Sequence, residues 1–175
     1  MRQSKTMAVP RKRVIVRKFS RDWVAGYADA IFGQNQAELE ILEPGGRVLR
    51  IPWNAVKWVC YVRDFPVGEQ AYPERLLQKK FAVRPRAAGL WLRMTLLDGD
   101  ELEGLAANDR TLIEGVGLIL TPPDTRSNTQ RVFVPRASVQ TLEVVSLIGA
   151  GRSRRAGTSS QVAQPELFPD NPERE

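Results

Sequence analysis

The chain has 175 residues, 42% of them hydrophobic, enough for one ordinary domain or two small ones with a packed core. The single cysteine, Cys60, excludes a disulfide scaffold and a multi-cysteine metal centre, and the absence of histidine removes the commonest metal ligand and proton shuttle. The net charge of +6 is local: residues 1–13 carry five Lys/Arg and no acid, residues 14–148 carry 17 against 16 acids, and residues 149–175 carry four against four. A body so nearly neutral is not the footprint of a dedicated phosphate binder.

In chain order, residues 1–12 form a basic arm with either Met1 or Met7 as the start. No apolar leader follows it, and no apolar run reaches the length of a membrane span, so the expectation is a soluble, cytoplasmic protein without a membrane contact. Short strands are expected at 13–19, 23–32, 37–43, 47–52 and 55–62, with the alternation clearest in Ala37-Glu38-Leu39-Glu40-Ile41. Gly45-Gly46 supplies a turn, Gly26 a bend within a strand, and Pro52 a strand end followed by a single 3₁₀ turn. Residues 63–88 read as a linker with a short helix at 73–81, where proline opens the turn and acid precedes base. A second set of strands is expected at 89–97, 101–108, 116–121, 131–135 and 138–147, with a tight Asp98-Gly99 hairpin between the first two. Residues 149–175, rich in Gly, Ser, Pro and charge, read as a disordered tail.

The two strand sets are similar in sequence order. RVLRIPWNAVKWV at 47–59 is answered by RVFVPRASVQTLEVV at 131–145, which aligns Pro52 with Pro135 and Val56 with Val139. Upstream, Val14-Ile15-Val16-Arg17 aligns with Leu90-Trp91-Leu92-Arg93, Ala25-Gly26 with Glu103-Gly104, and Leu39 to Pro44 with Gly117 to Pro122. The pattern predicts an internal duplication, with repeats at 13–62 and 89–148.

LLDGDELEGLAAND at 96–109 resembles the first Sm motif, an apolar strand, an Asp-Gly turn and a glycine in the next strand. That resemblance implies an all-β protein of two tandem five-stranded small barrels of Sm-like or SH3-like type; an open sandwich of the same strands gives nearly the same pattern. The second Sm motif and its base-binding asparagine are missing, so no RNA pocket is carried over. VRDF at 62–65, DGDELEG at 98–104 and LILTPPDTRSNTQRVFVPRASV at 118–139 resemble an uncharacterised bacterial family of tandem β-domains, which implies the boundaries and the bacterial setting but no activity.

Candidate functional residues are few. Arg11, Lys12 and Arg13, with Arg152, Arg154 and Arg155, could contact phosphates as basic patches, against the plainer reading of solvated charge. Arg13 and Arg17 have the spacing seen in the cyclic-dinucleotide-binding PilZ family, against an outward strand face. Gln164-Pro165-Glu166-Leu167-Phe168 resembles the bacterial sliding-clamp-binding pentapeptide, with Gln164, Leu167 and Phe168 as anchors. Trp53, beside a proline, is expected to be the exposed tryptophan and a partner contact, whereas Trp58 and Trp91 are expected in the core and Cys60 buried and inert. Asp98, Asp100, Glu101 and Glu103 read as turn and solvated strand acids rather than a metal or acid/base cluster. With no nucleophile–base pair, cofactor site or metal set in view, the expected function is that of a non-catalytic binding or adaptor protein. Its expected partner is a protein, with a homo-oligomer compatible. The alternatives are nucleic-acid association through the basic arm, with clamp recruitment through the tail, and PilZ-like nucleotide binding.

Overall fold

The computed structural model describes residues 10–30, 32, 37–124 and 126–149. It is all-β. Ten strands run in order: β1 (Arg11–Lys18), β2 (Trp23–Asp29), β3 (Glu38–Leu42), β4 (Val48–Pro52), β5 (Val56–Val62), β6 (Gly89–Leu96), β7 (Glu101–Ala106), β8 (Gly117–Leu120), β9 (Thr129–Pro135) and β10 (Val139–Ile148). They form a seven-stranded sheet of order β4-β3-β2-β1-β5-β9-β8 and a three-stranded sheet of order β10-β6-β7. Neither sheet closes into the barrel that the Sm-like pattern implies. β2 and β3 share only the Tyr27–Leu42 pair, and between β7 and β8 the backbone pairing is the Leu105–Thr121 bridge, just past the end of β8. Among the described residues no helix is long and apolar enough to cross a membrane.

The prolines and glycines act where their chemistry directs. Pro52 and Pro135 end β4 and β9, and each is followed by one 3₁₀ turn, Trp53–Ala55 and Arg136–Ser138. The Asp98-Gly99 hairpin is looser than a two-residue turn. Leu96 N donates to Asp100 O at 2.8 Å, Gly99 N donates to Leu96 O at 2.9 Å, and Gly99 takes the positive φ of 81° that closes a three-residue loop. Gly46, at φ 84°, closes the β3–β4 loop in the same way. Gly26 and Gly104 have a different task. A Cβ on Gly26 would stand 2.6 Å from Leu42 O, and one on Gly104 would stand 2.8 Å from Leu120 Cβ, so glycine permits β2 to cross β3 and β7 to cross β8 closely.

The two five-strand sets share their pairing register. Val14 faces Gly26 and Tyr61, while Leu92 faces Gly104 and Val144. Leu39 pairs with Ile51 as Leu118 pairs with Val134. The ladders β1–β5 and β6–β10 even slip at corresponding places, between Arg17 and Lys18 and between Val139 and Thr141. Val14 thus corresponds to Leu92, two residues beyond the Leu90 that sequence alignment selects. An even slip keeps every side chain on its face, so alternation cannot detect it.

Two cores lie on either side of β1 and β5. Val14, Val16, Val56, Val59 and Tyr61 join Leu39, Ile41, Phe32, Trp53 and Phe133 on one side; Ile15, Trp58, Cys60 and Val62 join Leu92, Met94, Leu102, Leu120 and Val134 on the other. Strands buried on both faces read as unbroken apolar runs, as Val56–Val62 does. The halves are joined edge to edge, β5 against β9, with Val59 opposite Phe133 and Cys60 opposite Val132. The buried Ser138 hydroxyl adds a 2.5 Å hydrogen bond to Val56 O across this joint.

The segment between β5 and β6 contains no helix. Arg75 has φ 51°, outside the helical region, and tertiary donors take the carbonyls that helix N–H groups would need. Thr129 Oγ1 donates to Glu74 O at 2.8 Å, Asn128 Nδ2 to Pro73 O at 3.2 Å, and Glu103 N to Lys79 O at 2.7 Å. The chain is thereby laid as an extended strap across the second half.

Candidate functional site

Three pieces of chain converge on one cleft of about 790 Å³: β1 and β5, the strap, and the tip of the β6–β7 hairpin. Arg17 on β1 and Glu74 of the strap form a buried pair, Nη2 to Oε2 at 2.7 Å and Nε to Oε1 at 3.2 Å. Arg17 also donates to Ala71 O and Arg21 O, and its guanidinium lies 5.7 Å from the ring centre of Tyr72. Opposite, Lys57 is 7% exposed, and its Nζ reaches Asp98 Oδ2 at 2.5 Å and Asp100 Oδ2 at 2.6 Å. Lys79 from the strap meets the same Asp100 oxygen at 2.9 Å. Hydrogen bonds from Lys57 and then Lys79 hold the Asp100 carboxyl below the usual carboxylate range, against partial burial.

Trp58 forms the wall between these charges. Lys57 Nζ lies 4.8 Å and Lys79 Nζ 5.4 Å from its ring centre, both within cation–π reach. Its Nε1–H is buried and is the single buried side-chain polar atom among the described residues without a hydrogen-bond partner. An indole N–H can only donate, and leaving one buried and unmet costs about 1–3 kcal/mol. At the rim, Tyr72 and Leu77 are 68% and 77% exposed. The cleft therefore offers two exposed apolar side chains at its rim and charges that are already paired with one another, while the Trp58 N–H stays sealed in its wall.

Few residues singled out from sequence belong to this cleft. Arg11 and Lys12 are exposed, but they lie on β1 opposite Asp29 and Ala28 rather than in a free arm. Arg13 is held by Arg63 O at 2.6 Å and Asp64 at 3.6 Å. Arg17 is not on an outward strand face: it is 8% exposed and committed to Glu74, away from the role that a PilZ-like arrangement would give it. Trp53 is not the exposed tryptophan. It is 8% exposed and packs on Phe32 at 5.2 Å and Phe133 at 5.5 Å, because the 3₁₀ turn after Pro52 folds its ring under β9. Arg152, Arg154, Arg155, Gln164, Leu167 and Phe168 lie outside the described residues.

The acids also divide. Asp98 and Asp100 sit on the turn as expected and Glu101 pairs with Lys80, but Glu103 is buried beneath the strap. Burial alone would raise the Glu103 carboxyl, yet donors from Phe81 N at 2.9 Å, Arg93 Nε at 2.9 Å and Trp91 Nε1 at 3.0 Å outweigh it and hold the group below its ordinary value. Burial also drives the Cys60 thiol upward, away from reactive thiolate. Among the described residues no group of three or more Cys, Asp and Glu side chains is placed to hold a metal ion. The residues that sequence reasoning missed are Lys57 and Glu74. A lone lysine inside the apolar run AVKWVCYV is the signal for the first, since lysine is rarely buried unpaired; nothing local marks the second.

Fold and cleft together define a β-sheet protein of two edge-joined halves with a polar cleft beneath a strap. Residues 10–146 match the family of unknown function DUF6982, and the chain belongs to that family. No curated protein and no solved structure matches it.

Proposed function

We propose that this is a non-catalytic binding protein, of the adaptor kind, built by duplication of a small-barrel unit of Sm-like or SH3-like ancestry, and that it takes an extended segment of a protein partner in the cleft between its halves. The shared register of the two strand sets supports the duplication. The observation that carries the binding role is the pair of exposed apolar side chains, Tyr72 and Leu77, at the rim of the cleft. Tyr72 and Leu77 receive an apolar side chain of the segment, whose backbone lies along the polar floor of the cleft. Charge balance favours a peptide over a polyphosphate chain. Arg17, Lys57 and Lys79 already hold carboxylates, and leaving one member of the buried Arg17–Glu74 pair without its partner costs about 3–5 kcal/mol.

The test places a photo-crosslinking residue at Leu77 and, as a control, at exposed Ile113, which does not line the cleft. A partner protein captured from position 77 but not from 113, and lost when Tyr72→Ser removes the exposed ring at the rim, supports the proposal. Capture of nucleic acid from position 77, or equal capture from both positions, overturns it.

A further inference from the structure

The joint between the two halves leaves behind one copy of each edge that made it. In the shared register β4 corresponds to β9 and β5 to β10, through Pro52 with Pro135 and Val56 with Val139. Inside the chain the β5 edge is mated to the β9 edge. Of the four edge strands in the two sheets, β7 and β8 lie together through the Leu105–Thr121 bridge, which leaves β10, equivalent to β5, and β4, equivalent to β9. We propose that a second copy of this chain docks there, the β10 edge of one molecule pairing antiparallel with the β4 edge of the next, as β5 pairs with β9 within each molecule.

The register of the contact follows from the internal joint. Val59, Cys60 and Tyr61 face Phe133, Val132 and Arg131. Carried over residue by residue, Leu142 faces Arg50, Glu143 faces Leu49, and Val144 faces Val48 of the neighbouring copy. The surfaces suit this arrangement. Val144 and Val48 are 58% and 52% exposed, and they become a cross-strand apolar pair. Glu143 falls diagonally across from Arg47, within reach of a long side chain. Leu142 and Leu147 add further apolar area to β10, a ten-residue edge strand of the kind that natural proteins otherwise shorten, charge or cover. β5, its counterpart, is buried at every position once β9 lies beside it. Pro52 does not obstruct the ladder, since its counterpart Pro135 lies beyond the paired stretch of β9.

Because the two edges differ, the contact is head to tail, and repetition gives a ring or a chain rather than an isologous dimer. This contact lies away from the cleft and does not depend on the peptide proposal. The test is light-scattering mass measurement of the full chain over a range of concentrations, with Val144→Asp blocking one edge and Val48→Asp the other. Leu142→Lys replaces Val144→Asp if circular dichroism shows that variant unfolded. The expected result is a wild-type mass that rises above 19.7 kDa with concentration, single variants that stay at 19.7 kDa, and a mixture of the two variants that stops at twice that mass. The mixture stops there because it retains one usable β10 and one usable β4. A wild type that stays monomeric throughout overturns the proposal. Assembly that persists in the single variants overturns it equally.

Discussion

Arg17 Nη2 and Glu74 Oε2 stand 2.7 Å apart, with side chains 10% and 3% exposed, and this pair ties the strap to β1 across 57 residues of sequence. Removing one member leaves the other buried and charged. Glu74→Ala is expected to lower unfolding free energy by about 3–5 kcal/mol, measured by urea titration. A loss below about 1 kcal/mol would place the pair in effective contact with water.

Gly26 and Gly104 are expected to resist even a methyl group. Leu42 O is backbone and cannot swing away from a Cβ at 2.6 Å, and Leu120 Cβ leaves only 2.8 Å. Gly26→Ala and Gly104→Ala should each cost about 1–3 kcal/mol in the same titration. Gly45→Ala, with open space around it, serves as the control and should change stability little.

Trp53 is expected to behave as a core residue. Trp53→Ala empties the site between Phe32 and Phe133 and should destabilise by about 3–5 kcal/mol, visible as a lower thermal midpoint. A surface contact residue would leave the midpoint unchanged.

Acid should weaken the fold through Glu103 and Asp100. Both carboxyls are held below their ordinary values in the folded chain, so the unfolded chain binds more protons in the acid range. Their stabilisation is complete above the ordinary carboxylate values of 4.5 and 3.8 and is lost as pH falls from there through the folded values. Urea midpoints at pH 7 and pH 3 should show a stability gap between wild type and Glu103→Gln that narrows at the lower pH. A gap that is constant with pH would show that Glu103 acts through shape alone.

The features legible in the residue order are local. Alternation and turn chemistry depend on neighbours a few residues apart, so Glu38–Leu42 reads as a strand, Asp98-Gly99 as a hairpin, and the two prolines as strand ends with a 3₁₀ turn. The apolar run at Val56–Val62 signals burial on both faces without saying against what. Long-range packing settles which surfaces meet. Residues 73–81 carry helical signals, but donors from β9 and β7 take the strap's carbonyls and hold it extended. Trp53 lies in the core because β9, some 80 residues on, covers it, and Glu103 is buried because the strap crosses it. The cleft assembles Arg17, Lys57, Trp58, Glu74 and Asp100 from strand, strap and hairpin. Such partners are chosen by long-range packing and by the cost of burying charge alone, and neither leaves a mark at any fixed spacing along the chain.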